Sequence, residues 1–312
     1  MNKPSEFNTK PPKIIMHSPE RNEGIMTMTV DDLERHNFLE LPNKAIMIEQ
    51  FNNLRKAIED EGIEVLELLD LLDEKAAQAA AKNPNSIFMR DPVVTIPWLP
   101  GFYIPCNMIL DARREETEIA AVAMKRLGLK PLIELDEDEY VEGGDVLPIV
   151  HNGLRTLLIG FGSRTTQSVA VALANKLIPE HIDQVLGIKH DKNVLHLDTG
   201  FTFLPNEVMF QARGMFTEGF LINKDKQLSE IHPIAFVEEM GFTIVRTTKK
   251  QAVRNERCNL LPVGNNRYFS FTMPAELKEE LEEKASIKII DIEGDEIAKA
   301  TGGVHCLTRP IF

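Results

Sequence analysis

Cys306 follows a glycine pair in the segment Gly302-Gly303-Val304-His305-Cys306-Leu307. Paired glycines let a backbone take positive φ and let another group come close. A lone cysteine is most often a small buried hydrophobe, and four other polar stretches change that reading. Phe88-Met89-Arg90-Asp91-Pro92 ends an apolar run on opposite charges. Val141-Glu142-Gly143-Gly144-Asp145-Val146 sets two carboxylates around a second glycine pair. Gly160-Phe161-Gly162-Ser163-Arg164-Thr165 turns into a helix without the spacing of a phosphate-cradling loop, so nucleotide binding is set aside. Leu195-His196-Leu197-Asp198-Thr199 reads as a strand, with His196 and Asp198 on one face because strand side chains repeat every second residue.

Each stretch alone has a plain structural reading: a surface ion pair, turn carboxylates, a satisfied His–Asp pair. Glu142, His196, Asp198 and Cys306 also form a transition-metal donor set. Its donors are scattered singly, with no second Cys or His at ligand spacing, so neither a metal nor another cofactor is expected. Taken together, a thiol, an imidazole and several carboxylates suit attack on a guanidinium carbon. Two carboxylates can grip the edges of that planar cation through paired hydrogen bonds. Its carbon is a poor electrophile, and a thiolate is the strongest of the common side-chain nucleophiles. A cation beside the sulfur favours the thiolate, and a His–carboxylate pair can pass protons to departing ammonia and from attacking water.

The elements that would hold these residues alternate. Apolar spacing predicts helices over Lys44–Gly62, Glu74–Lys82, Arg114–Leu127, Thr165–Leu177, Ile231–Met240, Ala275–Lys284 and Glu296–Ala300. Strand-like runs lie between them, among them Lys13–Met16, Ser86–Met89, Val93–Ile96, Asn107–Leu110, Asp145–Val150, Asn193–His196 and Arg267–Phe271. About five times, one or two strands precede a helix and another strand, a rhythm that means α/β. Residues 1–12 read as a flexible tail, and residues 13–312 as a single domain with no linker or low-complexity break.

Hydrophobic content of 43% with 27% charged residues is ordinary for a soluble globular protein. The net charge of −13 argues against nucleic acid or an anionic membrane as partner. No apolar run approaches the roughly 18 residues of a membrane span, and the polar opening lacks the apolar core of a signal peptide, so a cytoplasmic protein is expected. Cys106, Cys258 and Cys306 suggest neither a disulfide frame nor a CxxC metal site. A homo-oligomer is left open.

In order, these motifs resemble the arginine deiminases of the guanidine-modifying (amidinotransferase-fold, or pentein) superfamily, almost end to end. The resemblance runs through Phe38-Leu39-Glu40-Leu41-Pro42, Gly62-Ile63-Glu64-Val65-Leu66, Pro84-Asn85-Ser86-Ile87-Phe88-Met89-Arg90-Asp91 and Ala112-Arg113-Arg114-Glu115-Glu116-Thr117. It continues through Glu142–Asp145, Ser163–Thr165, His196–Thr199 and Gly302–Cys306. It implies a five-bladed α/β propeller of ββαβ units with the site in its central channel. Cys306 would be the nucleophile that forms the covalent intermediate, and His196 with Glu142 the acid–base pair. Asp91 and Asp198 would hold the guanidinium; Asn85, Arg113 and Arg164 would meet the far end of an arginine-like substrate. His305 would point elsewhere. Two departures stand out. Only Glu74–Asn83 separates the first unit from the Asn85 motif, so the helical insertion of the familiar bacterial members is absent. Thr301 stands where they carry an arginine that grips the substrate carboxylate, a contact worth roughly 1.5–3 kcal/mol. The implied activity is guanidine hydrolysis to ammonia and a ureido product, with arginine to citrulline first in line. An amidinotransferase, a dimethylarginine- or agmatine-type hydrolase, and a non-enzymatic guanidine sensor are the alternatives.

Overall fold

Five times in this computed structural model, which describes residues 5–312, an antiparallel strand pair is followed by a helix and a strand lying parallel to the second of the pair. Val93–Thr95 and Phe102–Pro105 pair, the helix Glu115–Arg126 crosses over, and Lys130–Pro131 joins. Val146–His151, Leu154–Phe161, the helix Gln167–Leu177 and Gln184–His190 repeat the pattern. Phe201–Leu204 with Val208–Ala212, then Pro233–Glu239 and Thr243–Thr247, form the third unit. Leu261–Gly264 with Arg267–Phe271, then Ala275–Ala285 and Lys288–Ile292, form the fourth. The fifth draws on both ends of the chain: Arg309–Ile311 runs antiparallel to Lys13–Met16, and the helix Lys44–Asp60 leads to Glu64–Glu67 beside it. The result is a mixed α/β fold of five sheets, the second widened to five strands by Phe216–Ile222 and Leu228–Ile231.

Apolar helix faces close over these sheets. Met47, Phe51, Leu54 and Ile58 of one helix are fully buried at helical spacing and share a core with Leu307 and the Cys306 segment. Among the described residues no helix is long and apolar enough to cross a membrane.

Several expected elements differ. Ser86–Met89 is no strand: the Asn83 side chain accepts from Asn85 N–H, and Pro84 starts the 3-10 turn Pro84–Ile87. Asn107–Leu110 is not a strand either; its place is taken by Phe102–Pro105, whose partner is Val93–Thr95. The strand Gln184–His190 has no counterpart in the sequence reading. The supposed tail is corrected most. Residues 1–4 lie outside the described residues, yet Ser5, Glu6 and Phe7 are buried. Glu6–Asn8 makes a 3-10 turn, and the Tyr268 hydroxyl donates to Phe7 O.

Candidate active site

Asp145 shapes the segment that carries His196 and Asp198. Its Oδ1 accepts from Leu197 N–H at 2.8 Å, and the Thr199 hydroxyl donates to His196 O at 2.8 Å. The backbone therefore turns helical over Leu197–Gly200, with His196 just ahead of it. The two side chains do not share a strand face, as the two-residue spacing implied; they belong to two adjoining clusters. Gly144 is needed beside them, because a Cβ there would come within 2.8 Å of the His196 ring.

The first cluster is ionic. His196 Nε2 is 2.7 Å from Glu142 Oε2, and Nδ1 is 3.5 Å from Asp91 Oδ1. Arg164 Nη1 donates to Glu142 Oε2 at 3.2 Å. Arg113 Nη1 donates to Asp91 Oδ2 at 2.9 Å, while its other nitrogens clasp Glu116 at 2.7 and 2.8 Å. All six residues are buried. Burial alone would push the His196 pKa down, but Asp91, Glu142 and Asp145 outweigh it and raise it to about 9. The imidazole is thus a cation at neutral pH.

The second cluster holds the thiol. Cys306 Sγ lies 3.7 Å from Asp198 Oδ2, and the same oxygen is 2.7 Å from His305 Nδ1. Asn259 joins the parts: its Oδ1 accepts from His305 N–H at 2.9 Å and Cys306 N–H at 3.1 Å. Its Nδ2 donates to Cys306 Sγ and to Asp198 O, both at 3.2 Å. Behind them Glu6 meets His305 Nε2 at 3.3 Å and also accepts from Arg90 Nη1. His305 and the sulfur thus meet the same carboxylate oxygen, that of Asp198. Burial, then Asp198, Asp91 and Glu256, raise the Cys306 thiol well above its ordinary range. The glycines before it serve close approach rather than positive φ: a Cβ on Gly303 would reach 2.5 Å from Asn259 Oδ1, and one on Gly302 would strike the Phe88 ring. The left-handed residue is Thr301, at φ +64.

A cavity of about 330 Å³ is lined among others by Asn37, Arg164, Lys192, Thr199, Glu256 and Thr301, and meets the two clusters at Arg164. Of the three residues expected at the far end of a substrate, Arg164 lines it. Asn85 does not; its amide group is taken by His36, at 2.9 Å on both Oδ1 and Nδ2. Arg113 is committed to Asp91 and Glu116 and also lies 3.7 Å from Glu142 Oε2. The Thr301 hydroxyl donates to Asn37 O at 2.9 Å. A cavity of about 380 Å³ elsewhere, around Phe7, His151 and Phe242, contains none of the cluster residues.

Asn259, Glu256 and Glu6 escaped the sequence reading. Asn259 sits in Cys258-Asn259-Leu260-Leu261 with no motif around it; the one available signal is a lone amide in a run that is otherwise fully buried. Asp91, Glu142 and His196 bring one donor atom each within 4.8 Å of one another, close enough for a metal ion. Two guanidinium groups already lie on those carboxylates, so a dication there would face two buried cations.

The family model described as arginine deiminase matches residues 81–312. The arginine deiminase of Levilactobacillus brevis is 27% identical over 266 residues, which cover 73% of this chain and 61% of that protein. The chain thus spans about three-fifths of the length of that relative. Among solved structures, the product-bound N-terminal domain of ArgZ, an arginine dihydrolase from the ornithine-ammonia cycle in cyanobacteria, superposes with a TM-score of 0.73. The match is 20% identical and covers 96% of this chain and 97% of that one. A dimethylarginine dimethylaminohydrolase adduct with 4-chloro-2-hydroxymethylpyridine gives 0.67 at 21% identity, covering 96% and 98%. At such identities these two likenesses speak for the fold.

Proposed function

The chain belongs to the arginine deiminase family, and from that membership we propose that it hydrolyses a guanidinium group through a covalent bond to Cys306, with arginine to citrulline as the first reaction to test. The observation that carries this reading is a pair of buried carboxylate oxygens beside the thiol. Asp91 Oδ1 and Asp198 Oδ1 have no hydrogen-bond donor among the described residues, and Asp198 Oδ2 is 3.7 Å from Cys306 Sγ. Buried carboxylates of that kind suit a planar cation that brings its own donors.

An arriving guanidinium offsets the acids that hold the thiol protonated, so the Cys306 proton passes to the Asp198 carboxylate and the sulfur attacks the guanidinium carbon. The tetrahedral adduct collapses as the His196 imidazolium gives its proton to one departing nitrogen, which leaves as ammonia. Neutral His196, steadied by Glu142, then takes a proton from water. The hydroxide adds to the thiouronium carbon, the C–S bond breaks with its electron pair returning to sulfur, and the ureido product departs. In this reading the five ββαβ units close as a ring of blades around the clusters, and residues 13–312 act as one catalytic unit.

Thr301 favours a second substrate reading. It carries no charge for a substrate carboxylate, so agmatine-like or methylated guanidines rank beside arginine. An amidinotransferase would require an acceptor amine; ammonia release without one separates the two. The test is a panel of guanidino compounds assayed for ammonia, ureido product and a mass adduct on Cys306. Cys306→Ala abolishes turnover and retains binding; turnover that survives the substitution removes the nucleophile assignment.

A further inference from the structure

The helix Lys249–Asn255 ends on Glu256, a residue the chemistry above does not use. Its backbone is left-handed, at φ +51, a conformation that glycine and asparagine take more readily. The backbone closes the helix without the side chain: Glu256 N–H donates to Ala252 O at 3.1 Å. The residue is 2% exposed, and its Oε2 finds no hydrogen-bond partner among the described residues. It lines the same cavity as Arg164, Thr199 and Thr301. Asn259 N–H donates to Glu256 O at 3.1 Å, so the turn that fixes Glu256 also fixes the amide on the nucleophile. A buried carboxyl oxygen with no partner, on a residue that lines a cavity and whose side chain has no local structural task, is costly unless a ligand supplies the partner.

We propose that Glu256 reads the tail of the substrate by receiving an ammonium group, so that the preferred substrates are guanidino compounds carrying an amine. The assignment rests on the guanidine hydrolysis proposed above and names the class of substrate it takes. Its logic is one of charge. At the cavity wall Arg164 is already paired with Glu142, Thr301 is neutral, and the other cation, Lys192, is exposed to solvent. Beside Glu256 a carboxylate tail would face an acid, whereas an ammonium would be matched by it. Burial, then Asp198, holds the Glu256 carboxyl protonated while the cavity lacks a cation; an incoming ammonium favours its ionised form and gains a charge-assisted hydrogen bond. A site built around such a bond discriminates strongly against an analogue that lacks the group.

The experiment measures kcat/KM for 4-guanidinobutylamine, for butylguanidine, which lacks the amine, and for 4-guanidinobutanoate, in the wild type, Glu256→Gln and Glu256→Asn. The Asn variant removes the acid and keeps a residue at ease in left-handed backbone. The wild type is expected to prefer the amine over butylguanidine by about tenfold or more, the factor that one such hydrogen bond supplies. In both variants that ratio falls by about tenfold, and 4-guanidinobutanoate gains relative to the amine. Equal losses on all three substrates, as from a purely structural role, leave the ratio unchanged and overturn the assignment. So does a wild type without the preference, whether or not the variants fold. If the wild type turns over no guanidine and forms no Cys306 adduct, the hydrolysis reading itself falls and takes this one with it.

Discussion

Glu6→Gln removes the carboxylate that bonds Arg90 and His305 and faces the buried Arg309. Burial would raise its pKa, but Arg90 and His305 outweigh that and hold it at about 2, against an ordinary value of 4.5. At about 1.4 kcal/mol per pKa unit, that difference corresponds to roughly 3 kcal/mol of stability at neutral pH. Breaking a buried ion pair from one side gives a similar figure, about 3–5 kcal/mol. An unfolding entropy of about 2.1 cal/mol/K per residue, over 312 residues, turns 3 kcal/mol into a fall of roughly 5 °C in Tm. The sign follows from a depressed pKa: the contribution is complete above the unfolded value and fades as pH falls from about 4.5 toward about 2. Thermal melts of both proteins from neutral pH down to about pH 3 should show a gap that narrows with acid. A variant that melts within about 1 °C of wild type at neutral pH, or a gap indifferent to acid, refutes the reasoning.

Asn259→Ala strands the buried N–H groups of His305 and Cys306, at about 1–3 kcal/mol each. A marked drop in Tm in melts is expected, and an unchanged Tm would remove Asn259 from its bridging role. Asn259→Asp keeps the acceptor but loses the donor on the sulfur, so kcat/KM in the ammonia assay should fall about tenfold or more while the fold persists. His196 must be charged to give up its proton, so kcat/KM declines as pH rises through about 9; a profile flat to beyond that point contradicts the imidazolium donor.

The alternation of strands and helices was legible because each helix buries one face, and Lys44–Asp60 shows that face as a plain 3.6-residue stripe. Glu142, His196, Asp198 and Cys306 were legible as types because charged residues beside glycine pairs are conspicuous in apolar surroundings. Their arrangement was not. His196 and Asp198 look like two residues of one strand, and only the Asp145 carboxylate, fifty-two residues from Leu197, bends that segment into a turn. Arg113 looks like a free cation until Glu116 and Asp91 are seen to hold it. Glu6 hid in a polar, proline-bearing opening, where nothing local reveals that Arg90 and His305 lie waiting. Partnerships across hundreds of residues leave no trace in spacing.

One sheet joins Ile15 to Arg309, a separation of almost the whole chain. Bringing such distant segments together carries a larger loop-closure cost than any hairpin here, by about 2 kcal/mol relative to a twenty-residue loop. Pairings of that kind form late. Cys306 sits three residues before this seam, so on the proposed hydrolysis recovery of ammonia-releasing activity on refolding should lag behind recovery of helix. On that proposal, chemistry is withheld until the architecture around it is complete.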